Sequence, residues 1–418
     1  MPSIKSTRVV VDGEVRPATI RHEEGVIVEI GDGPADDDYG DLVVMPGLVD
    51  SHVHVNEPGR TEWEGFATAT AAAAAGGTTT IVDMPLNSIP PTIDPSALEV
   101  KREAAREKLA VDTAFWGGLV PGADPFPGVC GFKAFLVDSG VEEFPPVDEA
   151  VLRDGMARAM EMGKPVLVHA EAPDLIRPFA GPRGVYGSYL ETRPPEAEVV
   201  AIRMVERLAV ETGARVHILH VSSAEAVEAV AGSDLSAETC PHYLTFAAEE
   251  IPEGATELKC APPVRERAHR EALWEGLREG VLAMVVSDHS PSPESLKGGG
   301  DFEGAWGGIS GLQVRLPATW TGAERRGFGL VDLAGWLAAA PATLAGLDKG
   351  VITVGADADF VIFDPDDVTK VGRLYHRHAI TPYRGLELRG WVIRTLLRGA
   401  PVFGDGEVFT GYGRMIPR

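Results

Sequence analysis

Eight short apolar runs, rich in β-branched residues, follow one another along the middle of the chain, and stretches of helical composition separate most of them. The runs are Leu48–Val55, Thr78–Met84, Val111–Leu119, Gly131–Val137, Pro165–Ala170, Val216–Val221, Ser236–Tyr243 and Val281–Ser287. A strand–helix alternation favours a parallel sheet covered by helices, and eight such units predict a closed barrel. The expected fold class is therefore α/β, a TIM-like (β/α)8 barrel.

Both ends of the chain differ from this middle part. Short β-type runs with Gly and Asp turns fill the first 45 residues, and a similar pattern returns near Gly355 and continues to the C-terminus. Runs of this kind are typical of antiparallel strands. We therefore expect the two ends to pair in a small composite β-sandwich domain, residues 1–46 plus 353–418, beside a barrel formed by residues 47–352.

Charge and cysteine content exclude several classes of partner. The chain has 38 basic and 62 acidic residues, a net charge of -24, which would repel phosphate backbones and anionic membrane surfaces. Three widely spaced cysteines, Cys130, Cys240 and Cys260, give no disulfide framework. The N-terminus lacks the apolar block of a signal peptide. We expect a cytoplasmic protein with no nucleic-acid or membrane partner.

Metal-ligand side chains lie at the ends of several predicted strands. His52 and His54 are two residues apart, so the period of a strand points both imidazoles to one side. His169, His220 and Asp288 each follow a strongly apolar run, at the end of the strand where barrel enzymes build their sites. Taken alone, His52 and His54 could also be core or surface residues of a strand. The further polar residues in the same register favour a metal centre.

Lys133 lies inside the apolar segment GFKAFL, where an isolated ammonium group is costly to bury. One interpretation is a lysine that reaches out to the barrel mouth. The other is a neutral amine that captures carbon dioxide, so that the resulting carbamate bridges two cations. With this lysine, four histidines and one aspartate suffice for two divalent ions, each with an open position for solvent. Zinc ranks first, with iron, cobalt and manganese as alternatives.

Two further histidines are open to other interpretations. His217 is three residues from His220, so we expect it on the opposite strand face, packed against a helix, and exclude it as a ligand. His242 lies near the predicted barrel mouth and could either donate a hydrogen bond to a ligand or pack there. Neither a phosphate-binding GxxxxGK[ST] loop nor a GxSxG nucleophile elbow occurs, which argues against nucleotide or serine-esterase chemistry.

The motifs GLVDSHVH (47–54), GFK (131–133), SDH (287–289) and KGVITVGADADF (349–360), with the histidines that end the fifth and sixth runs, resemble the cyclic amidohydrolases of the amidohydrolase superfamily. The resemblance covers nearly the whole chain and implies dimers or tetramers. It implies a ligand at each predicted position: His52, His54, Lys133, His169, His220 and Asp288. It also assigns Asp288 as the catalytic base.

Longer motifs most resemble the branch of that superfamily that hydrolyses allantoin to allantoate. They are NEPGRTEWEG (56–65), DMPLNS (83–88), CPHYL (240–244), LKCAPPVR (258–265), SDHSP (287–291) and AWGGIS (305–310). Asn56 stands where dihydroorotases place an arginine for a carboxylate, and no tyrosine follows Lys133 as it does in hydantoinases and dihydropyrimidinases. The resemblance implies contacts to a small cyclic ureide from Asn87, the backbone of Cys260, Ser290 and Ser139.

Other functions stay open. A hydantoinase or dihydropyrimidinase would use the same centre on a related ring, and a dihydroorotase ranks below them. A metal-free scaffold protein ranks last, because such a protein would have no evident use for the buried lysine and the six ligand-type residues together.

Overall fold

Two arcs of parallel strands and one mixed nine-stranded sheet make up the β-structure of the computed structural model, which describes residues 1–417. The strands are β1 Ser3–Val11, β2 Glu14–Glu23, β3 Val26–Gly31, β4 Asp37–Asp38, β5 Val43–Pro46, β6 Leu48–Val53, β7 Thr78–Asp83, β8 Asp112–Phe115, β9 Gly117–Gly118, β10 Phe132–Phe135, β11 Val166–His169, β12 Val216–Ile218, β13 Ser236–Thr239, β14 Met284–Val285, β15 Phe360–Lys370, β16 Glu387–Leu397, β17 Ala400–Gly404 and β18 Glu407–Val408.

Helices connect most of the parallel strands. They are α1 Phe66–Ala75, α2 Pro95–Ala105, α3 Glu149–Glu161, α4 Tyr186–Leu190, α5 Pro195–Thr212, α6 Ala224–Ala231, α7 Pro241–Thr245, α8 Arg267–Arg278, α9 Arg315–Glu324, α10 Leu330–Ala334 and α11 Ala340–Ala345. A π-helical turn, Gly335–Ala339, joins the last two. Within residues 1–417 we find no helix with the length and apolar character needed to cross a membrane.

The parallel strands form the predicted barrel. One arc runs β6-β7-β8 and the other runs β14-β13-β12-β11-β10-β9. The arcs join at Trp116, the single residue between β8 and β9, and again where the backbone N–H of His54 donates to the carbonyl of His289 at 2.8 Å. Eight strand positions therefore surround one core, and the predicted fold class is confirmed.

Some predicted boundaries are wrong for local reasons. The run Ser236–Tyr243 was expected to be one strand, but β13 ends at Thr239 because Pro241 starts α7, and proline favours the first turn of a helix. Helix α1 begins at Phe66, after the motif that ends at Gly65. Gly65 before it has φ 106, a left-handed conformation that a helix does not accept.

The two ends of the chain share one sheet, as the sequence predicts. Its order is β18-β17-β16-β15-β5-β1-β2-β3, with β4 beside β1. Strand β5 lies between the two ends of the chain, since it pairs in parallel with β1 and antiparallel with β15. The proposed domain limits, 1–46 plus 353–418 and 47–352, stay a prediction.

A fully buried arginine fixes the first and last barrel strands to each other. The guanidinium of Arg315 donates to the carbonyls of Val49 at 2.9 Å and Val285 at 3.2 Å, and its Nε lies 3.3 Å from Asp50 Oδ2. The same Asp50 carboxylate accepts the backbone N–H groups of His52 and Ser287. The strands that carry His52 and lead to Asp288 are thus held in a fixed relation below the barrel mouth.

Three aspartates surround one ammonium group where the barrel meets the terminal sheet. Lys349 Nζ lies 2.9 Å from Asp112, 2.6 Å from Asp357 and 2.7 Å from Asp359, and the lysine side chain is only 7% exposed. Arg398 adds a second cation at 2.6 Å from Asp112. The cluster joins a barrel strand to the segment that leads into β15.

We predict that Lys349→Met lowers the free energy of unfolding by about 3 kcal/mol, because it leaves buried carboxylates without their main cation. Urea denaturation measures the change. Lys5→Met, which breaks an exposed pair with Asp38, is the matched control and should cost less than about 1 kcal/mol. If both substitutions lower the free energy of unfolding by the same amount, the buried cluster contributes no more stability than the exposed pair.

Candidate metal centre

All six predicted ligand residues meet at the C-terminal end of the barrel strands. Four lie on or directly after strands: His52 within β6, His54 one residue after it, Lys133 within β10 and His169 at the end of β11. His220 lies two residues after β12 and Asp288 three residues after β14. Their side chains come from five strands that are distant in the sequence, and each residue is at most 9% exposed.

Short distances join the six side chains. Asp288 Oδ1 lies 3.0 Å from His52 Nε2 and 3.5 Å from His54 Nε2. Lys133 Nζ approaches the same atom and lies 3.1 Å from His52 Nε2. A further pair, His169 Nδ1 and His220 Nε2, is 3.1 Å apart. Nitrogen and oxygen donors thus converge on one small buried volume.

Two of these residues have strained backbones. His220 has φ 38 and Asp288 has φ 43, a left-handed region that non-glycine residues seldom occupy. Each such conformation costs on the order of 1–3 kcal/mol and persists only where the surrounding structure imposes it. The strain turns both side chains toward the cluster after the strands have ended.

Burial keeps most of the imidazoles neutral. It lowers the pKa of His54 to about 3, with Lys133 adding to the effect, and it lowers the pKa of His220 well below its usual value, with His169 adding to it. The pKa of His169 is also lowered by burial, although Glu171 opposes the change. Neutral imidazole is the form that binds a metal ion.

The pKa values of His52 and Asp288 shift in the directions that favour an ion pair between the two side chains. Burial alone would lower the pKa of His52, but the carboxylates of Asp288 and Glu238 outweigh it and raise that pKa. Burial would raise the pKa of Asp288, but His52 and His54 hold it well below its usual value. Asp288 is therefore a carboxylate, able to bind a cation or accept a proton.

The Lys133 side chain is buried beside the Phe135 ring and His52. Its Nζ lies 4.9 Å from the centre of the Phe135 ring, and no carboxylate oxygen of residues 1–417 lies within salt-bridge distance of it. Burial lowers the pKa of Lys133 to about 8, despite the opposing fields of Asp288 and Glu238. The amine is thus much easier to deprotonate than an exposed lysine.

The residues fit a divalent metal ion. Within the described chain, Nδ1 of His54 and Nδ1 of His220 are buried and have no hydrogen-bond partner, which is costly for a polar atom unless a ligand satisfies it. Imidazole nitrogens and a carboxylate oxygen are donors that zinc and its neighbours accept. His52, His54 and Asp288 alone present three such atoms within 4.8 Å of one another.

Two carboxylates that no sequence pattern indicated contact the candidate ligand histidines. Glu238 Oε1 accepts from His52 Nδ1 at 2.5 Å, and Glu171 Oε2 lies 2.7 Å from His169 Nε2. Glu171 also pairs with Arg193. Glu171 lies two residues after the end of β11, so the period of a strand gives no indication of it. Carboxylates of this kind fix the tautomer of a ligand histidine and raise its basicity.

The expected position of His217 on the opposite strand face is wrong, whereas its exclusion as a ligand stays a prediction. Its side chain does not pack only against a helix: Nε2 lies 3.1 Å from Glu238 Oε2, and Nδ1 lies 2.8 Å from the Ser236 hydroxyl. His217 thus belongs to a chain of hydrogen bonds that reaches His52 through Glu238. The three-residue spacing between His217 and His220 does not place them on opposite faces, because β12 ends at Ile218. The period of a strand therefore does not extend to residue 220.

We predict that Glu238→Gln lowers the affinity for the metal ions by about 10–100-fold, because one amide oxygen cannot accept from both His52 and His217. Ion-competition titration with a chromophoric chelator measures the change. The control is Ser236→Ala, which removes only the outer partner of His217 and should leave the affinity close to wild type. Unchanged affinity in Glu238→Gln would refute this role for the carboxylate.

The predicted substrate residues lie in segments that follow barrel strands. Asn87 is buried with φ 66, its carbonyl oxygen accepts from Arg60, and its side-chain Oδ1 has no partner within residues 1–417. Ser290 is 8% exposed, next to Gly308, where a Cβ atom would lie 2.4 Å from the Ser290 carbonyl oxygen. Only a glycine at 308 permits this close approach.

The other two predicted contacts already have partners in the chain. The carbonyl oxygen of Cys260 accepts from the Tyr189 hydroxyl at 2.7 Å. The hydroxyl of Ser139 donates to the carbonyl of Phe144 at 2.7 Å, within its own loop. Their roles in substrate binding stay predictions.

An aromatic pair forms part of the rim. The rings of Trp63 and Trp306 meet edge to face with centroids 4.8 Å apart, and the Arg60 guanidinium lies 5.2 Å from the Trp63 ring. Gly140 borders the same group, since a Cβ atom there would lie 3.3 Å from Trp306. The loops after three different strands therefore meet around the opening.

Comparison with known proteins places this geometry in a family. The model of the "Amidohydrolase family" matches residues 43–402. An allantoinase of Streptomyces avermitilis is 47% identical, covering 99% of this chain and 98% of that protein. The allantoinase of Saccharomyces cerevisiae is 41% identical, covering 97% of this chain and 96% of that protein.

Solved structures agree on the fold. An L-hydantoinase (dihydropyrimidinase) from Arthrobacter aurescens superposes with a TM-score of 0.92 at 30% identity, and the match covers 100% of both chains. A dihydropyrimidinase from Brevibacillus agri superposes with a TM-score of 0.89 at 30% identity, over 99% of this chain and 98% of that one.

Proposed function

This chain belongs to the amidohydrolase family, and from that premise we propose that it opens the cyclic amide bond of allantoin with water to give allantoate. Family membership makes the chain a cyclic amidohydrolase that acts on small cyclic substrates. The substrate is supported by one observation above all: relatives named allantoinase align with this chain at 41% and 47% identity along nearly its whole length.

We assign the six clustered residues as ligands of two divalent ions, zinc first, with a carbamate on Lys133. The carbamate forms when the neutral amine attacks carbon dioxide and a proton leaves to solvent. A buried amine with no carboxylate partner supports this assignment, because the modification turns an uncompensated cation into an anionic ligand. When bound, the ions would polarise the ring carbonyl and lower the pKa of a metal-bound water.

Asp288 would move the proton. Its carboxylate accepts a proton from the attacking water and returns it to the ring nitrogen as the carbon–nitrogen bond breaks. His52 and His54, at 3.0 and 3.5 Å from Oδ1, hold the carboxylate ionised and fix its position. The six clustered residues are each at most 9% exposed, which limits the access of bulk water to the reacting atoms.

The residues around the mouth favour a hydrophilic, uncharged ring. Asn56 is buried, its side-chain nitrogen donates to the Pro291 carbonyl at 3.3 Å, and its Oδ1 has no partner within residues 1–417. An amide offers hydrogen bonds to a ureide but no cation for a carboxylate, which disfavours dihydroorotate. Asn87 Oδ1 could likewise accept from a ureido N–H.

The function is tested by turnover of the purified protein on allantoin, hydantoin, dihydrouracil and dihydroorotate. We expect kcat/KM to be highest for allantoin, and activity to disappear with a chelator and return with a divalent ion. A higher kcat/KM for hydantoin or dihydrouracil would assign the chain to its structural neighbours' reaction instead. Full activity after verified removal of metal would refute the metal-dependent mechanism.

Two further expectations stay predictions. Assembly into dimers or tetramers rests on the family resemblance, and a cytoplasmic location rests on the sequence alone. Sedimentation analysis of the purified protein measures the first.

A further inference from the structure

A second group of ligand-type side chains lies beside the proposed centre. Cys240 follows β13, and His242 lies in the short helix after it. One ligand atom each from Cys240, His242 and Asp288 lie within 4.8 Å of one another, and all three residues are buried. Cys240 and His242 are not among the six residues assigned above. The proposed reaction therefore uses neither of them.

His242 provides an independent indication of a ligand. Neither Nδ1 nor Nε2 has a hydrogen-bond partner within residues 1–417, although the residue is only 1% exposed. The ring packs against Tyr243 with centroids 4.2 Å apart, which fixes its plane but satisfies neither nitrogen. A buried imidazole with two unsatisfied nitrogens is uncommon, because each such atom loses its hydrogen bonds to water without compensation. A cation near Cys240 and Asp288 would satisfy one of them.

The surrounding charge favours a cation. Three carboxylates, those of Asp288, Glu238 and Asp50, place negative charge around the Cys240 side chain. The same negative field attracts a divalent ion, which would take the place of the thiol proton as that proton leaves to solvent.

We propose that Cys240, His242 and Asp288 form an additional site for a soft divalent cation, such as zinc or cadmium, and that occupation of this site inhibits the enzyme. Sulfur, imidazole and carboxylate together suit these ions and not magnesium or calcium. Zinc bonds of about 2.0–2.3 Å place two ligands roughly 3.5 Å apart, so the side chains must close by roughly 1 Å. Because Asp288 is shared, an ion bound there holds the carboxylate that would otherwise transfer the proton.

Only the effect on turnover rests on the proposed function; binding of the ion does not. The six residues of the main centre contain no sulfur, so a cadmium–thiolate bond identifies the additional site even if cadmium also enters the main one. Cadmium is therefore the probe.

The experiment adds cadmium to the metal-loaded protein and follows three signals: the ultraviolet charge-transfer absorption of a cadmium thiolate, the number of ions bound by equilibrium dialysis, and the rate of ring opening. The variants are Cys240→Ser and His242→Gln, and the matched control is Cys130→Ser, a buried cysteine of the barrel wall. Each rate is normalised to the same variant's rate without added cadmium, and a thermal melt verifies folding.

We expect wild type and Cys130→Ser to bind one ion beyond the two of the main centre, with thiolate absorption and loss of activity. Cys240→Ser should lose the absorption, and both site variants should require about ten-fold or more cadmium for inhibition. Thiolate absorption that persists in Cys240→Ser, or inhibition unchanged in both site variants, would overturn the proposal. Absorption without any turnover of a cyclic amide by wild type would refute the proposed function but not the site.

Discussion

Lys133→Ala should lower kcat/KM for allantoin by on the order of 10³-fold or more. The lysine is the one ligand that would bridge both ions, so its loss removes several kcal/mol of electrostatic stabilisation from the site. The bound metal should fall from two ions to one or fewer per chain. Steady-state kinetics and elemental analysis of the same preparation measure both effects.

A small carboxylic acid should partly restore the activity of Lys133→Ala. The shortened side chain leaves space beside His52 and the Phe135 ring, where acetate or propionate can take the place of the carbamate. Lys297→Ala is the control, since Lys297 is another buried lysine, but its Nζ donates to loop carbonyls at the rim. It should keep two ions and gain nothing from acetate. Near wild-type activity in Lys133→Ala would contradict the assignment.

Asp288→Asn should lower kcat by about 10²–10⁴-fold, even with divalent ions in excess. An amide presents an oxygen of similar shape to His52 and His54 but cannot accept the proton of the attacking water. The comparison with Asp301→Asn, a carboxylate paired with Arg183 away from the ligands, separates this effect from a general loss of negative charge. A kcat within about ten-fold of wild type would exclude Asp288 as the proton acceptor.

The barrel and the clustering of the six candidate ligand residues could be predicted because both follow from local periodicity. His52 and His54 share a strand face, and His169, His220 and Asp288 come directly after apolar runs whose ends meet at one edge of a parallel barrel. Lys133 was identifiable because an ammonium group in an apolar strand needs a compensating partner. The pairing of the chain ends was predictable from their strand composition and was confirmed in the nine-stranded sheet.

The contacts that hold the candidate ligands in place could not be predicted. They join residues that are far apart in the sequence and come together only when the barrel closes. Glu238 reaches His52 across 186 positions of the sequence, and no local rule gives that pair. Arg315 meets Asp50 under the barrel for the same reason. His217 was misjudged because a strand that ends two residues early changes which side chains share a face. Sequence patterns thus locate the candidate ligands, and only the tertiary structure locates the groups that contact them.

The most direct test of the central claim is a crystal structure of the protein grown with a divalent ion and bicarbonate, measured with anomalous scattering. We expect two anomalous peaks among the four histidines and Asp288, with carboxylate density extending from Lys133 Nζ between them. An unmodified Lys133 side chain and no anomalous peak near those residues would contradict the account.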